Sequence, residues 1–163
     1  MKKPTPRPSN MLQETPLGVM INDERLKKPT AFREAYPIEE PYVYAAIIKD
    51  PETQKIHYEV IEPTLQKEEE KQLHELRAFL MEEVDVNLKE IETKEKAENY
   101  LREKTKSIIK KYHMKIAPAA IDKLIYYITR DFTGYGKIDS LMKDHLIEDI
   151  SADGVNIPIY IWQ

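Results

Sequence analysis

Three stretches of the sequence repeat apolar residues at three- and four-residue steps, and this repetition limits the fold more than any other feature. From about Leu65 to Val84, the residues Leu73, Leu76, Leu80 and Val84 fall on one helical stripe. Glu68, Glu69 and Glu70 stand in the opening turns, where the positive end of a helix dipole favours acids. A second stretch, from about Lys94 to His113, places Ala97, Tyr100, Leu101, Ile108 and Tyr112 on one face. The third opens with Pro118 in its first turn and carries Ile121, Leu124, Ile125, Ile128 and Phe132 before Gly134 ends it. Amphipathic helices must hide their stripes, so three in succession are expected to pack together as a bundle.

On either side the apolar period changes. Residues 42–49 (YVYAAIIK) and 55–62 (KIHYEVIE) are rich in Tyr, Val and Ile and are separated by Asp50-Pro51-Glu52-Thr53-Gln54, which predicts a β-hairpin closed by Pro63. Beyond Gly134-Tyr135-Gly136, a short helical turn is expected near Asp139 to Lys143. The run IEDISADGVNIPIYIW (147–162) then reads as a second hairpin turning at Asp153-Gly154. Pro4, Pro6, Pro8, Pro16, Pro29, Pro37 and Pro41 crowd a region with neither a helical nor a strand period, so residues 1 to about 40 are expected to form an extended arm. The expected class is α+β. It comprises a proline-rich arm (1–40), a hairpin with a three-helix bundle (41–133), and a short α/β segment (134–163) ending in a hairpin.

At 163 residues, 41% hydrophobic and 33% charged, the chain is about one domain in size and can bury a core. Its net charge of −4 weighs against a dedicated nucleic-acid binder but leaves room for a local basic patch. It has no cysteine, so disulfides, thiolate metal sites and a Cys nucleophile are excluded, and a cytoplasmic setting fits. Met1-Lys2-Lys3 runs into prolines rather than an apolar segment, so no signal peptide is expected. The longest apolar run, Tyr42 to Ile48, is too short to span a bilayer.

Motifs that carry chemistry are scarce. The glycines are Gly18, Gly134, Gly136 and Gly154, and none opens a phosphate-binding loop. Gly134-Tyr135-Gly136 lacks a preceding strand and a third glycine, so it reads as a helix C-cap rather than a dinucleotide turn. His57, His74, His113 and His145 are scattered without metal-ligand spacing. Glu148, Asp149 and Asp153 could hold Mg²⁺ or act as acid and base. On a strand, however, residues 148 and 149 point to opposite faces, and turn formation also accounts for these acids. Ser140, Asp144 and His145 lie close in sequence without a nucleophile elbow.

Charge segregation is the remaining signal. Between Tyr100 and Lys115, Arg102, Lys104, Lys106, Lys110, Lys111 and Lys115 face only Glu103, while Gln66 to Glu95 is dominated by acids. Two readings stand. Either the helices attract one another across the bundle, or Arg102, Lys104, Lys106, Lys110 and Lys111 form a docking stripe for an acidic partner, an anionic membrane surface or nucleic acid. Tyr100 and Tyr112 sit on the apolar stripe, which suits packing better than base stacking.

The run DFTGYGKIDSLMKDHLIEDISADGVNIPIYIW (131–162) resembles a stretch of the archaeal type II/IV secretion-system ATPases, the superfamily of archaellum motor and type IV pilus assembly ATPases. The likeness lies in Gly134, Tyr135, Gly136, Ile138, Asp139, Leu141 and Asp144, then in Ile147 to Ser151, Asp153, Gly154 and Pro158 to Trp162. PYVYAAI (41–47) and YEVIEP (58–63) extend it upstream. Lys137, Ser140, Ala152 and Gln163 depart from the family pattern at positions without a catalytic group. The resemblance implies that the last hairpin begins a PAS-like amino-terminal domain leading into a RecA-like core that binds ATP and Mg²⁺. No such core lies within these residues. The chain is therefore expected to be the non-catalytic amino-terminal region of a longer ATPase, with a strand edge left open. Its role would be to couple a hexameric motor to a membrane platform or regulatory protein at the inner face of the cell membrane, peripherally and without nucleic acid. A stand-alone nucleic-acid- or anion-binding domain using the 102–115 stripe is the alternative.

Overall fold

The computed structural model describes residues 32–50, 52–84 and 91–163, without the side chains of residues 32 and 33. Of the arm expected over residues 1 to about 40, residues 1–31 lie outside these. The chain is α+β, as its periodicities imply, and divides into two units: one holds residues up to Thr64 together with Ser140–Gln163, the other Leu65–Asp139. That grouping differs from boundaries running in sequence order at 41–133 and 134–163, because residues 140–163 pack on the first sheet.

The helical unit follows the three stripes closely, as α1 (Lys67–Glu83), α2 (Lys94–Lys111) and α3 (Pro118–Thr133). Each start has a local cause. Glu69 accepts a hydrogen bond from the Gln66 amide at 2.8 Å, Thr93 Oγ1 accepts one from the Lys96 amide at 3.2 Å, and Pro118 fills a position whose N–H would have no intrahelical acceptor. Leu73, Leu76, Leu80, Leu101, Ile108, Leu124 and Ile128 form the core, with Phe79, Tyr100 and Ile116 among its flanking residues. Each such side chain contributes about 1.5–3 kcal/mol by leaving water. At the end of α3 the Gly134 amide donates to the Arg130 carbonyl at 3.1 Å. A Cβ on Gly134 would lie 2.7 Å from that carbonyl oxygen and closer still to Asp139 Oδ1, so only glycine fits. Gly136 has a φ of +62°, which glycine adopts without strain.

The sheet unit carries three antiparallel strands in the order β1 (Phe32–Glu39), β2 (Val43–Lys49) and β3 (Ile56–Ile61). The expected hairpin is β2 and β3, and β1 is an addition, since residues 32–39 belong to the sheet and not to an arm. Pro37 explains why this strand hides in the sequence. Proline donates nothing to a ladder and so sits at edges, and the register shifts beside it, between Pro37 and Glu39. One sheet face carries Tyr44, Ala46 and Ile61, packed with Ile48. Register puts Tyr36, Ala45 and Val60 on the other face, with Tyr58 beside Ile47.

The remaining elements are the short helix α4 (Asp139–Lys143) and a two-stranded ribbon of β4 (Asp149–Ser151) and β5 (Tyr160–Trp162). The terminal hairpin is present, but its tight Asp153-Gly154 turn is not. Ser151 pairs with Tyr160, so residues 152–159 all lie in the connection. Pro158 lacks an amide proton, and Gly154 (φ 151°) and Asn156 (φ 64°) leave the extended region, which together prevent a longer ladder.

Candidate functional site

The cations of α2 were the leading candidates, and the bundle places most of them against carboxylates. Arg102 reaches Asp122 at 3.5 Å, Lys104 reaches Glu83 at 3.6 Å, Lys106 reaches Glu103 at 2.9 Å and Lys111 reaches Glu83 at 2.7 Å. Lys110 is exposed and joins no ion pair among the described residues. Glu83 is the hub of the group, since it also accepts a hydrogen bond from the Tyr112 hydroxyl at 2.9 Å. Lys111 first and Tyr112 second hold its carboxyl below the usual range, and Glu83 in turn raises Lys111. Tyr112 stacks on Phe79 with ring centroids 4.0 Å apart, so its ring is committed within the bundle.

The acids and hydroxyls of 139–153 are distributed differently from any catalytic set. Asp139 is buried and accepts from the Tyr135 amide at 3.0 Å, which pins the Gly134-Tyr135-Gly136 turn to the helix that follows. Ser140 is buried and donates to Glu62 at 3.2 Å, while His145 is exposed. Asp144 is 5% exposed, and its Oδ2 accepts from Tyr36 at 2.7 Å and from Tyr58 at 2.5 Å while Oδ1 accepts from the Leu146 amide at 2.9 Å. Ser140, Asp144 and His145 therefore do not assemble as nucleophile, acid and base. Among the described residues no three His, Cys, Asp or Glu side chains converge as a metal site.

The Asp144 cluster could not be found by reading motifs, because Tyr36 and Tyr58 lie 108 and 86 residues from it in the chain. Its geometry has a simple basis. Tyr36 and Tyr58 stand on the two outer strands and share a sheet face, Tyr36 opposite Ala45 and Tyr58 opposite Ile47 on β2, so that both hydroxyls reach one carboxylate. Burial and then Asp144 push the Tyr36 hydroxyl up to about 12, and the same causes raise Tyr58 further. Both phenols thus remain donors at physiological pH. Gln163 donates to the Tyr36 hydroxyl, and Lys143 bonds Glu39 at 2.5 Å. These contacts hold residues 140–163 to the sheet.

Past this anchor the chain turns outward. Leu146, Val155, Ile157, Ile159, Tyr160 and Trp162 are all exposed, Val155 to 90% and Trp162 to 54%. Glu148, Asp149 and Asp153 are exposed beside them. No helix among the described residues is long and apolar enough to cross a membrane.

No family model matches the chain. An uncharacterized protein of Methanocaldococcus jannaschii is 46% identical over 105 residues, which make up 64% of this chain and 41% of that protein. The match thus spans less than half of the relative's length.

Proposed function

We propose that this chain is an amino-terminal interaction and coupling region of a type II/IV secretion-system ATPase, one that powers protein secretion or the assembly of a pilus or archaellum. The observation that carries the reading is the ordered run from Asp131 to Trp162. Its two inward aspartates have mechanical tasks. Asp139 pins the glycine turn and Asp144 anchors the segment to the sheet, so the spacing of the run has a physical reason that needs no catalysis. In this reading the chain itself does not hydrolyse ATP, and ATP with Mg²⁺ belongs to the parent's motor domain. The coupling region transmits the motor's conformational change to a membrane platform or regulatory protein at the inner face of the membrane.

The alternative of a stand-alone anion binder draws on the α2 stripe. Asp122, Glu83 and Glu103 pair with Arg102, Lys104, Lys106 and Lys111, which reduces the positive charge that face offers phosphate.

The decisive experiment reads the parent gene past codon 163. An open frame that continues into a phosphate-binding loop is the expected result. A stop codon there, with no ATPase co-purifying with the tagged chain from its host, would sink the proposal.

A further inference from the structure

Strand pairing fixes which side chains of the terminal ribbon share a face. Asp149 lies opposite Trp162 and Ser151 opposite Tyr160, so these four stand together, while Ile150 and Ile161 point to the other side. Ile150 and Ile161 are half-buried, whereas Tyr160 and Trp162 are each 54% exposed. The outward face therefore sets two aromatic rings beside a carboxylate. Glu148 precedes Asp149, Asp153 follows it, and no Lys or Arg occurs anywhere from 144 to 163.

We propose that this ribbon face is a docking site for an extended, basic protein segment of a partner, one that carries Arg or Lys at alternate positions. The chemistry selects that occupant. A guanidinium or ammonium group can lie over Trp162 or Tyr160 and pair with Asp149 at the same time, two attractions that favour the same charge. Alternation matters because basic residues two apart in an extended segment project to one side and meet successive positions of the ribbon, Trp162 with Asp149 and then Tyr160 with Ser151. The apolar connection, with Val155, Ile157 and Ile159, supplies contact area around these anchors.

Other occupants fit less well. A second copy bound through the same face would set Asp149 against its own duplicate, since a two-fold interface joins identical patches. Anionic lipid and nucleic acid would meet the same carboxylate. The site is read from the described ribbon alone.

Trp162 is the chain's one tryptophan, so the site reports on itself through fluorescence. The full chain is titrated with a synthetic octapeptide alternating Arg and Val and with its Glu-for-Arg counterpart, and Trp162 emission is followed. The Arg peptide is expected to shift the emission and to bind at least about tenfold more tightly than the Glu peptide. Asp149→Asn changes no side-chain volume to speak of and is expected to weaken binding by about three- to tenfold, as loss of one cation contact implies. Weakening by added salt supports the same site.

Three results would overturn the proposal. One is an unchanged Trp162 spectrum at millimolar Arg peptide. Another is equal binding of the two peptides. The third is concentration-dependent dimerisation that moves Trp162 emission without peptide, which would give the face to a second copy. Circular dichroism of the Asp149→Asn chain separates lost folding from lost binding, and Glu75→Gln, which removes an exposed acid of the helical unit instead, is expected to bind as the unaltered chain does.

Discussion

In the helical unit Leu76, Leu80, Leu101, Leu124 and Ile128 are wholly buried, and Arg102, Lys104, Lys106 and Lys111 of α2 meet carboxylates of α1, α3 or α2 itself. In the ribbon after Leu146, Val155, Ile157, Ile159, Tyr160 and Trp162 are exposed, and the acids have no basic neighbour in sequence. One region uses hydrophobic area and charge to hold itself together. The other holds both at the surface, where they add little to folding and remain free to meet something else. A charge-rich helix is therefore a poor guide to binding until its partners within the fold are known.

The contrast can be broken most directly by truncation. Leu124→Ala, at a wholly buried site, is expected to lower stability by about 2–5 kcal/mol in urea unfolding, whereas Ile159→Ala should stay within about 0.5 kcal/mol. Similar losses at the two positions would mean that the ribbon is part of a core. Next in size is Asp144→Ala, which strips two tyrosine hydroxyls of their shared acceptor and is expected to cost about 2–3 kcal/mol. Asp144→Asn should cost less, because its amide oxygen still accepts.

Titration sharpens the same point. Tyr36 has its pKa pushed up to about 12, by burial first and then by Asp144, against an unfolded value of about 10, and Tyr58 shifts the same way. A group whose pKa is higher in the folded state stabilises fully below its unfolded pKa. The contribution is then lost as pH rises, here from about 10 through 12. Unfolding curves across that window should show stability falling, and Tyr36→Phe should flatten the fall. The smallest effect concerns Thr105, wholly buried in α2, whose Oγ1 has no hydrogen-bond partner among the described residues. Thr105→Val keeps the shape and removes the orphaned hydroxyl, so a gain of about 1 kcal/mol is expected in the same unfolding assay.

How much of this was legible in the sequence follows from the range of each signal. Helix boundaries depend on neighbours a turn away, and the stripes through Leu73, Ile108 and Leu124 mark α1, α2 and α3 to within a few residues, as Asp139 to Lys143 marks α4. Strand β1 escaped because Pro37 breaks its pattern and only its place at the sheet edge makes that proline tolerable. The last hairpin was visible as a pair of strands, but Asp153-Gly154 suggested a turn that Pro158 and Asn156 do not allow. Long-range chemistry was the least legible. Nothing near Asp144 points to Tyr36 or Tyr58, and nothing near Lys111 points to Glu83, 28 residues away. The aromatic and acidic residues of the ribbon were in plain view, but they read as an ordinary edge until register placed Asp149 across from Trp162.

The division of the sheet unit into two stretches of sequence has a consequence for synthesis. Strands β1 to β3 leave the ribosome with Tyr36 and Tyr58 still lacking Asp144, and residues 65–139 must be made before it arrives. At about 5–20 residues per second, those roughly 75 residues take on the order of four to fifteen seconds to translate. Helix–coil relaxation runs on the microsecond scale, so the helices between have time to fold while the sheet waits with one face uncovered. The unit that the described chain begins is thus the one it finishes last, once residues 140–163 arrive to anchor on the sheet.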